Sequence, residues 1–229
     1  MKYTILLALV AMATAADAAS LCKNEDTAVA DLTEAAILET APPVNVTLYY
    51  ECQCGGCQQF ITDVLSKAVD VLGEKGTYMD FNFVPYGNAQ ESYDKSKKRW
   101  VFTCQHGPGE CWGNLVETCA IHYKPKFEDH YKFIHCFEEN FSYPSSDWKP
   151  VLEKCGKLHN MPVEEIGSCV TSDIGNQLEH QMAERTVAHH VQWVPWVIIN
   201  GVFYKDAADD LLTAVCKAYT GPKPKGCPQ

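Results

Sequence analysis

Beyond its first dozen residues the chain lacks any long apolar run, since no later segment approaches the ~20 uninterrupted apolar residues of a membrane-spanning helix. Positive charge is also scarce: 19 Lys and Arg residues stand against 29 Asp and Glu residues, which gives a formal net charge of -10. Such a chain lacks the basic surface that nucleic acid or anionic lipid requires. Internal repeats are absent as well. We therefore predict one compact domain with no nucleic-acid partner and no membrane span.

Cysteine, by contrast, is abundant, with 12 residues in a chain of 229. So many cysteines indicate an oxidising compartment rather than a cytosol kept reduced by glutathione. The amino terminus agrees, because Lys2 is followed by a short apolar run and then by small residues ending at Ala18, the pattern of a cleaved signal peptide. Entry into the secretory route makes the sequons at Asn45 and Asn140 candidate glycosylation sites, although either can remain unmodified.

Hydrophobic patterning predicts an α/β order of elements. A run of β-branched and aromatic residues at 44–50 indicates a strand, and apolar residues then recur at helical spacing until Gly73. Alternation over 77–84 indicates a second strand, which completes a β-α-β unit. Short helical patterns follow from about 88 to 190, and an Asn-Gly turn between two strand-like runs then indicates a hairpin before a last helix.

These patterns divide the chain into four parts. The predicted parts are a signal peptide (1–18), an arm or pro-segment (19–43), a domain (44–220) with a helical insert at about 88–190, and a C-terminal tail (221–229) that is retained or trimmed.

The sequence Cys54-Gly55-Gly56-Cys57 falls where the first predicted strand meets the first predicted helix. Unpaired backbone N–H groups and the macrodipole at a helix N-terminus stabilise an anion, so we expect a lowered pKa for the Cys54 thiol. The spacing places both cysteines on one turn, where a disulfide closes easily. The motif also fits half of a zinc site or the ends of structural bridges. Zinc lacks a second ligand pair in the sequence, and we predict no metal.

Pro195 opens a predicted strand after the β-α-β unit and the helical insert. Thioredoxin-like folds place a cis proline at this point of the topology, facing the dithiol, where the backbone of the preceding residue offers an edge to a bound peptide. We therefore predict Val194 and Pro195 as substrate-binding residues. The alternative is an ordinary proline at the start of a strand.

A longer motif runs from Cys104 to Cys119 and reads CQHGPGECWGNLVETC. It contains every fixed position of the signature C-Q-H-G-x₂-E-C-x₂-N-x₄-C, and over about 44–227 the chain resembles the gamma-interferon-inducible lysosomal thiol reductase family. The resemblance implies a thioredoxin-like α/β fold, with a mixed sheet, helices on both faces and a disulfide-braced helical insert. It also implies a thiol reductase of lysosomes and late endosomes, also secreted, that cleaves disulfides in endocytosed proteins at acidic pH.

The same resemblance implies roles for the cysteines. Cys54 would attack the substrate disulfide and Cys57 would resolve the mixed disulfide, with an external thiol as reductant and no bound cofactor. Disulfide-containing proteins would be the substrates, and a disulfide-linked precursor dimer is a further form to consider. Eight cysteines match structural positions of the family: Cys104, Cys111, Cys119, Cys136, Cys155, Cys169, Cys216 and Cys227. Cys22 and Cys52 are additions to that pattern, and we expect them to pair with each other.

Two alternative functions stay open. An oxidase or isomerase on the same fold would differ in reduction potential rather than in motif. A secreted binding protein would carry Cys54 and Cys57 as a permanent structural bridge. Within the signature, His106 either steers a proton or braces the disulfide-bound loop.

Overall fold

The computed structural model describes residues 41–228. The predicted signal peptide, most of the predicted arm and Cys22 lie outside that range. None of the helices between residues 41 and 228 is long and apolar enough to cross a bilayer.

A four-stranded mixed sheet forms the centre of the domain, with the strand order β2-β1-β5-β6. Strands β1 (Val44–Tyr50) and β2 (Met79–Pro85) run parallel, as the predicted β-α-β unit requires. Strand β5 (Trp196–Ile199) is antiparallel to β1, and β6 (Val202–Phe203) is antiparallel to β5. All four residues of β5 are buried, so the sheet is covered on both faces at that strand.

One continuous helical run follows β1. It consists of α1 (Gly55–Gln59), a π-helical segment (Phe60–Leu65) and α2 (Ser66–Leu72). Its apolar face is buried in the core, and Gly73 ends it with a φ of 76°, a conformation that glycine adopts without strain. The predicted end of the helix is therefore confirmed. The π-helical segment was not predicted, because apolar spacing defines a helix face and not the register of its hydrogen bonds.

The insert between β2 and β5 holds a hairpin and five helices. Its elements are β3 (Gln90–Asp94), β4 (Arg99–Thr103), α3 (Pro108–Tyr123), α4 (Phe127–Asn140), α5 (Lys149–Leu158), α6 (Val163–Val170) and α7 (Asp173–Ala188). The expectation that the insert is helical from residue 88 is wrong at its start, where β3 and β4 pair antiparallel. No residue of either strand is fully buried. The hairpin therefore lacks the strict alternation by which a half-buried strand is recognised.

After β6, a 3₁₀ turn (Lys205–Ala208) precedes the last helix, α8 (Leu211–Ala218). The Asp210 side chain accepts a hydrogen bond from the Thr213 backbone N–H at 3.0 Å and so caps α8. The predicted last helix thus divides into two shorter elements.

Four disulfides brace the domain, and together they use all eight cysteines that the family pattern implies. The pairs are Cys104–Cys111, Cys119–Cys169, Cys136–Cys155 and Cys216–Cys227. Three of them lie within the insert, where they close the signature loop, join α3 to α6 and join α4 to α5. The fourth joins α8 to the C-terminal tail. The expectation of a disulfide-braced insert is confirmed.

Candidate active site

Cys54 caps the N-terminus of α1 with an extended backbone, and Cys57 lies one turn further along the same helical run. Both are free thiols. Cys54 is half-buried, whereas Cys57 is 0% exposed. Cys54 is therefore the thiol of the pair that a protein substrate can contact directly.

Hydrogen bonds and burial give the two thiols opposite pKa shifts. The pKa of Cys54 is lowered to about 6, and the largest cause is the hydrogen bond that the Cys57 thiol donates to it. Burial opposes this shift. The backbone N–H groups of Cys57 and Gly56 and the charge of His106 lower the pKa further. Burial raises the pKa of Cys57 well above its usual value, and its interaction with Cys54 raises it again. Cys54 is thus the thiol that ionises first.

Pro195 lies against the dithiol motif. The Val194–Pro195 peptide bond is cis, as the topology predicts. Pro195 Cδ lies 3.5 Å from the position that a Cβ on Gly56 would occupy, so the proline ring packs against this part of the motif. Trp193 is 45% exposed and packs edge-on against Trp196, with ring centroids 4.6 Å apart. A substrate-binding role for Val194 and Pro195 remains a prediction, and their position beside the thiols is compatible with it.

The signature loop brings a carboxyl-imidazole cluster to the same place. Both oxygens of the buried Glu110 hold His106: Oε1 accepts the His106 backbone N–H at 3.1 Å, and Oε2 bonds to the ring Nδ1. Glu51 Oε2 lies 3.8 Å from the same Nδ1, while Glu51 Oε1 accepts the Asn88 backbone N–H at 2.6 Å. The Glu51 carbonyl also accepts the Cys54 backbone N–H at 3.2 Å. Glu51 therefore connects the signature loop to the turn that bears Cys54.

Burial, followed by the charge of Glu110, raises the pKa of Glu51 to about 7, against the opposing Asn88 hydrogen bond. For His106, burial acts to lower the pKa, but the bond to Glu110 and the charges of Glu110, Glu51 and Cys54 outweigh it and raise the pKa. In mild acid this cluster thus contains a neutral Glu51 beside a charged His106.

Metal-type donors meet at one point among residues 41–228, where the donor atoms of Glu51, His106 and Glu110 lie within 4.8 Å of one another. The imidazole and the Glu110 carboxyl are already bonded directly to each other. The cluster therefore shares protons among its carboxyls and imidazole. Sequence reasoning singled out His106 and missed Glu51 and Glu110; the signature contains Glu110, whereas Glu51 lies outside it.

A second group of buried acids consists of Glu117 on α3, Glu138 on α4 and Glu179 on α7. Burial raises the pKa of Glu117 and of Glu179 to about 8, and raises that of Glu138 well above its usual value. Thr118 Oγ1 donates to Glu179 at 2.8 Å. Glu117 and Glu138 interact with each other, which requires a proton on one of them, and Tyr50 and Gln58 act as further hydrogen-bond donors to Glu117 and Glu138 respectively.

Gln58 joins the dithiol helix to the insert. Its Nε2 lies 3.0 Å from each of three backbone carbonyl oxygens, those of Cys52, Glu138 and Phe141. The loop after α4 adds a further contact, in which Gln53 Nε2 donates to the Ser145 carbonyl at 2.8 Å. The insert therefore holds both sides of the turn from β1 to α1.

The expected Cys22–Cys52 disulfide is wrong for Cys52, which is a free thiol with 0% exposure. Its sulfur faces inward and bonds to the Glu110 carbonyl at 3.5 Å, and its backbone N–H donates to Asn114 Oδ1 at 3.0 Å. Burial raises the pKa of Cys52 well above its usual value, so this third thiol stays protonated and out of exchange with substrate. Cys22 lies outside the described residues.

A matched pair of glycine variants tests the packing around Cys52. A Cβ on Gly113 in α3 would overlap Cys52 Sγ and crowd Phe141, whereas a Cβ on Gly167 in α6 would meet only Leu152, at 3.8 Å. We expect Gly113→Ala to lower the free energy of unfolding by about 1–3 kcal/mol. Gly167→Ala should raise it by roughly 0.5–1 kcal/mol, since alanine favours a helix interior. Urea unfolding measures both values, and a neutral Gly113→Ala variant would contradict the close packing.

The two predicted glycosylation sites are both exposed. The Asn45 side chain on β1 lies 3.4 Å from Asp80, and the Asn140 side chain at the end of α4 accepts a bond from Lys154 at 2.6 Å. Their modification remains a prediction.

A free dithiol at a helix N-terminus, with a proline packed beside it on a mixed sheet, defines a thiol oxidoreductase with a thioredoxin-like fold. Solved structures support the fold: oxidised BdbD from Bacillus subtilis is similar with a TM-score of 0.58 at 17% identity, over 77% of this chain and 87% of that one. DsbA from Chlamydia trachomatis is similar with a TM-score of 0.54 at 16% identity, over 79% and 89%.

Sequence comparison gives the family. Residues 45–159 match the family model described as gamma interferon inducible lysosomal thiol reductase (GILT), and the chain belongs to this family of thiol reductases. It is 36% identical to the gamma-interferon-inducible lysosomal thiol reductase of Carassius auratus, over 82% of this chain and 74% of that protein. The Mus musculus protein of the same name is 38% identical over 83% and 74%. A gamma-interferon-responsive lysosomal thiol protein of Arabidopsis thaliana is 34% identical over 80% and 75%.

Proposed function

We propose that this thiol reductase cleaves disulfides in endocytosed proteins at acidic pH, in lysosomes or late endosomes, and so aids their unfolding and proteolysis. The observation that carries the proposal is the contrast between Cys54, half-exposed with a pKa of about 6, and Cys57, fully buried with a raised pKa. The word lysosomal in the names of the three relatives supports the compartment. Secretion of a further fraction is part of the proposal, as the signal-peptide pattern suggests.

The exchange takes two steps. The Cys54 thiolate attacks one sulfur of the substrate disulfide, so that a mixed disulfide forms and the other substrate sulfur leaves as a thiolate that takes a proton from solvent. Cys57 then loses its proton and attacks the Cys54 sulfur, which releases the second substrate thiol and leaves Cys54–Cys57 oxidised. Two electrons have passed to the substrate, and an external thiol must return them. No bound cofactor is needed.

The lowered pKa is what makes this chemistry feasible in acid. With a pKa of about 6, roughly one Cys54 thiol in ten is ionised at about pH 5, against about three in ten thousand for an ordinary thiol of pKa ~8.5. Since the thiolate is the attacking species, this difference favours Cys54 strongly over unactivated thiols in the same compartment.

Reduction of insulin with dithiothreitol or free cysteine as donor tests the proposal. We expect turnover by the purified protein at about pH 5 and near-complete loss of turnover in Cys54→Ser, because no thiolate remains to attack. Glu153→Gln, at an exposed carboxylate of α5, serves as the control and should match the unchanged protein. A folded protein without activity between about pH 4 and pH 7 would favour the binding-protein alternative instead.

A further inference from the structure

His106 is held by the protein on one side only. Its backbone N–H and its ring Nδ1 both bond to Glu110, which is fully buried in the first turn of α3. The ring also packs edge-on against Tyr143, with centroids 6.2 Å apart, and the side chain keeps 28% exposure. These contacts orient the imidazole and leave its Nε2 edge without a protein partner among the bonds of the described residues.

Four groups face this imidazole from separate elements: Glu51 at the end of β1, Glu110 on α3, Cys54 at the start of α1 and the Tyr143 ring from the loop after α4. Two of the four are carboxyls. Burial and the charge of Glu110 raise the pKa of Glu51 to about 7, so Glu51 is neutral in mild acid, whereas Glu110 is bonded directly to the imidazole. Acidification therefore removes one negative charge from beside Cys54 and keeps the positive charge of His106.

We propose that His106 is a positioning residue for the thiol exchange: the signature motif fixes a cationic imidazole beside the active-site turn, where its charge stabilises the Cys54 thiolate in acid. Cys54 and His106 interact through their charges in both directions, since the imidazolium favours the thiolate and the thiolate favours the imidazolium. The tight turn from Glu51 to Cys54 keeps Cys54 near His106. The Glu51 carbonyl accepts the Cys54 backbone N–H, and the Glu51 carboxyl lies beside the His106 imidazole. The inference rests on the proposed role of Cys54 as nucleophile.

The test is the rate at which iodoacetamide alkylates Cys54, followed on the tryptic peptide by mass spectrometry at about pH 5 and about pH 8. We expect His106→Gln to slow alkylation by about threefold to tenfold at the lower pH, which corresponds to a rise of roughly half to one unit in the pKa of Cys54. At the higher pH the thiol is ionised in both proteins, so the rates should agree within about twofold. His106→Lys keeps a positive charge and should recover much of the loss.

His122→Gln is the matched control, because His122 is an exposed histidine near the end of α3, away from the dithiol, and it should leave both rates unchanged. Equal slowing of His106→Gln at both pH values would show that His106 only braces the loop, and no slowing at either pH would also overturn the inference.

The two proposals fail in different ways. If Cys54 of the unchanged protein reacts in acid only as slowly as an ordinary thiol, the proposed function fails. If Cys54 is activated in acid and His106→Gln is just as reactive, only the role of His106 fails.

Discussion

The free energy of unfolding should fall by several kcal/mol as the pH rises from about 4.5 to about 8. Burial raises the pKa of Glu117 and of Glu179 to about 8, whereas both ionise near 4.5 in the unfolded chain. Between about pH 4.5 and about pH 8 the folded state holds protons that the unfolded state has released. Each increase of one pH unit in this range therefore lowers the free energy of unfolding. The stabilisation is fully present below about 4.5 and is lost as the pH rises through about 8.

The Cys54 thiolate acts in the opposite direction, because its lowered pKa adds stability above about pH 6. One thiol is outweighed here by several buried carboxyls, which include Glu138 and Glu51. The folded protein should therefore be most stable in the acidic range in which we propose that it works.

Urea unfolding at about pH 5, 6.5 and 8 measures this dependence through the midpoint concentration. Glu179→Gln should make the midpoint change less with pH, because the amide cannot ionise and its oxygen can still accept the bond from Thr118. Glu153→Gln replaces an exposed carboxylate and should leave the slope unchanged. A midpoint that is constant with pH, or that rises towards pH 8, would show that these buried carboxyls are not held neutral.

Replacing Cys57 should trap substrate, and replacing Cys54 should not. In Cys57→Ser the half-exposed Cys54 thiolate still attacks, but the resolving thiol that would break the mixed disulfide is gone, so the covalent adduct accumulates. In Cys54→Ser only Cys57 remains of the pair, and it is buried with a raised pKa. We expect most of the first variant and almost none of the second to carry substrate.

The measurement mixes each reduced variant with insulin at about pH 5, quenches the exchange with acid and compares adducts on non-reducing gels. Mass spectrometry of the adduct should locate the bond at Cys54. Comparable trapping by both variants would reverse or abolish the assigned roles of nucleophile and resolving thiol.

The sequence predicted the elements whose patterns are local. Five of the seven residues of β1 are buried, as their β-branched and aromatic character indicates, and Gly73 ends the dithiol helix where its positive φ is needed. The hairpin of β3 and β4 escaped prediction because neither strand has a fully buried residue. The motif itself located Cys54 and Cys57.

Features that depend on contacts across the chain could not be predicted. Glu51 and His106 are 55 positions apart in the sequence and meet only in the folded domain. Glu117, Glu138 and Glu179 look like solvent-facing charges of helices, yet all three are buried. Cys52 was expected to pair with Cys22 because both are additions to the family pattern, and the sequence carries no information about which way a sulfur points.

The contacts of Gln58 with the carbonyls of Glu138 and Phe141 mean that the insert is a structural part of the catalytic centre and not an appendage to it. A version of this enzyme reduced to its sheet and terminal helices would retain both thiols but lose the groups that hold them in place. Engineering that seeks a smaller reductase from this scaffold must therefore keep α3, α4 and the loop that carries Ser145, whatever else it removes.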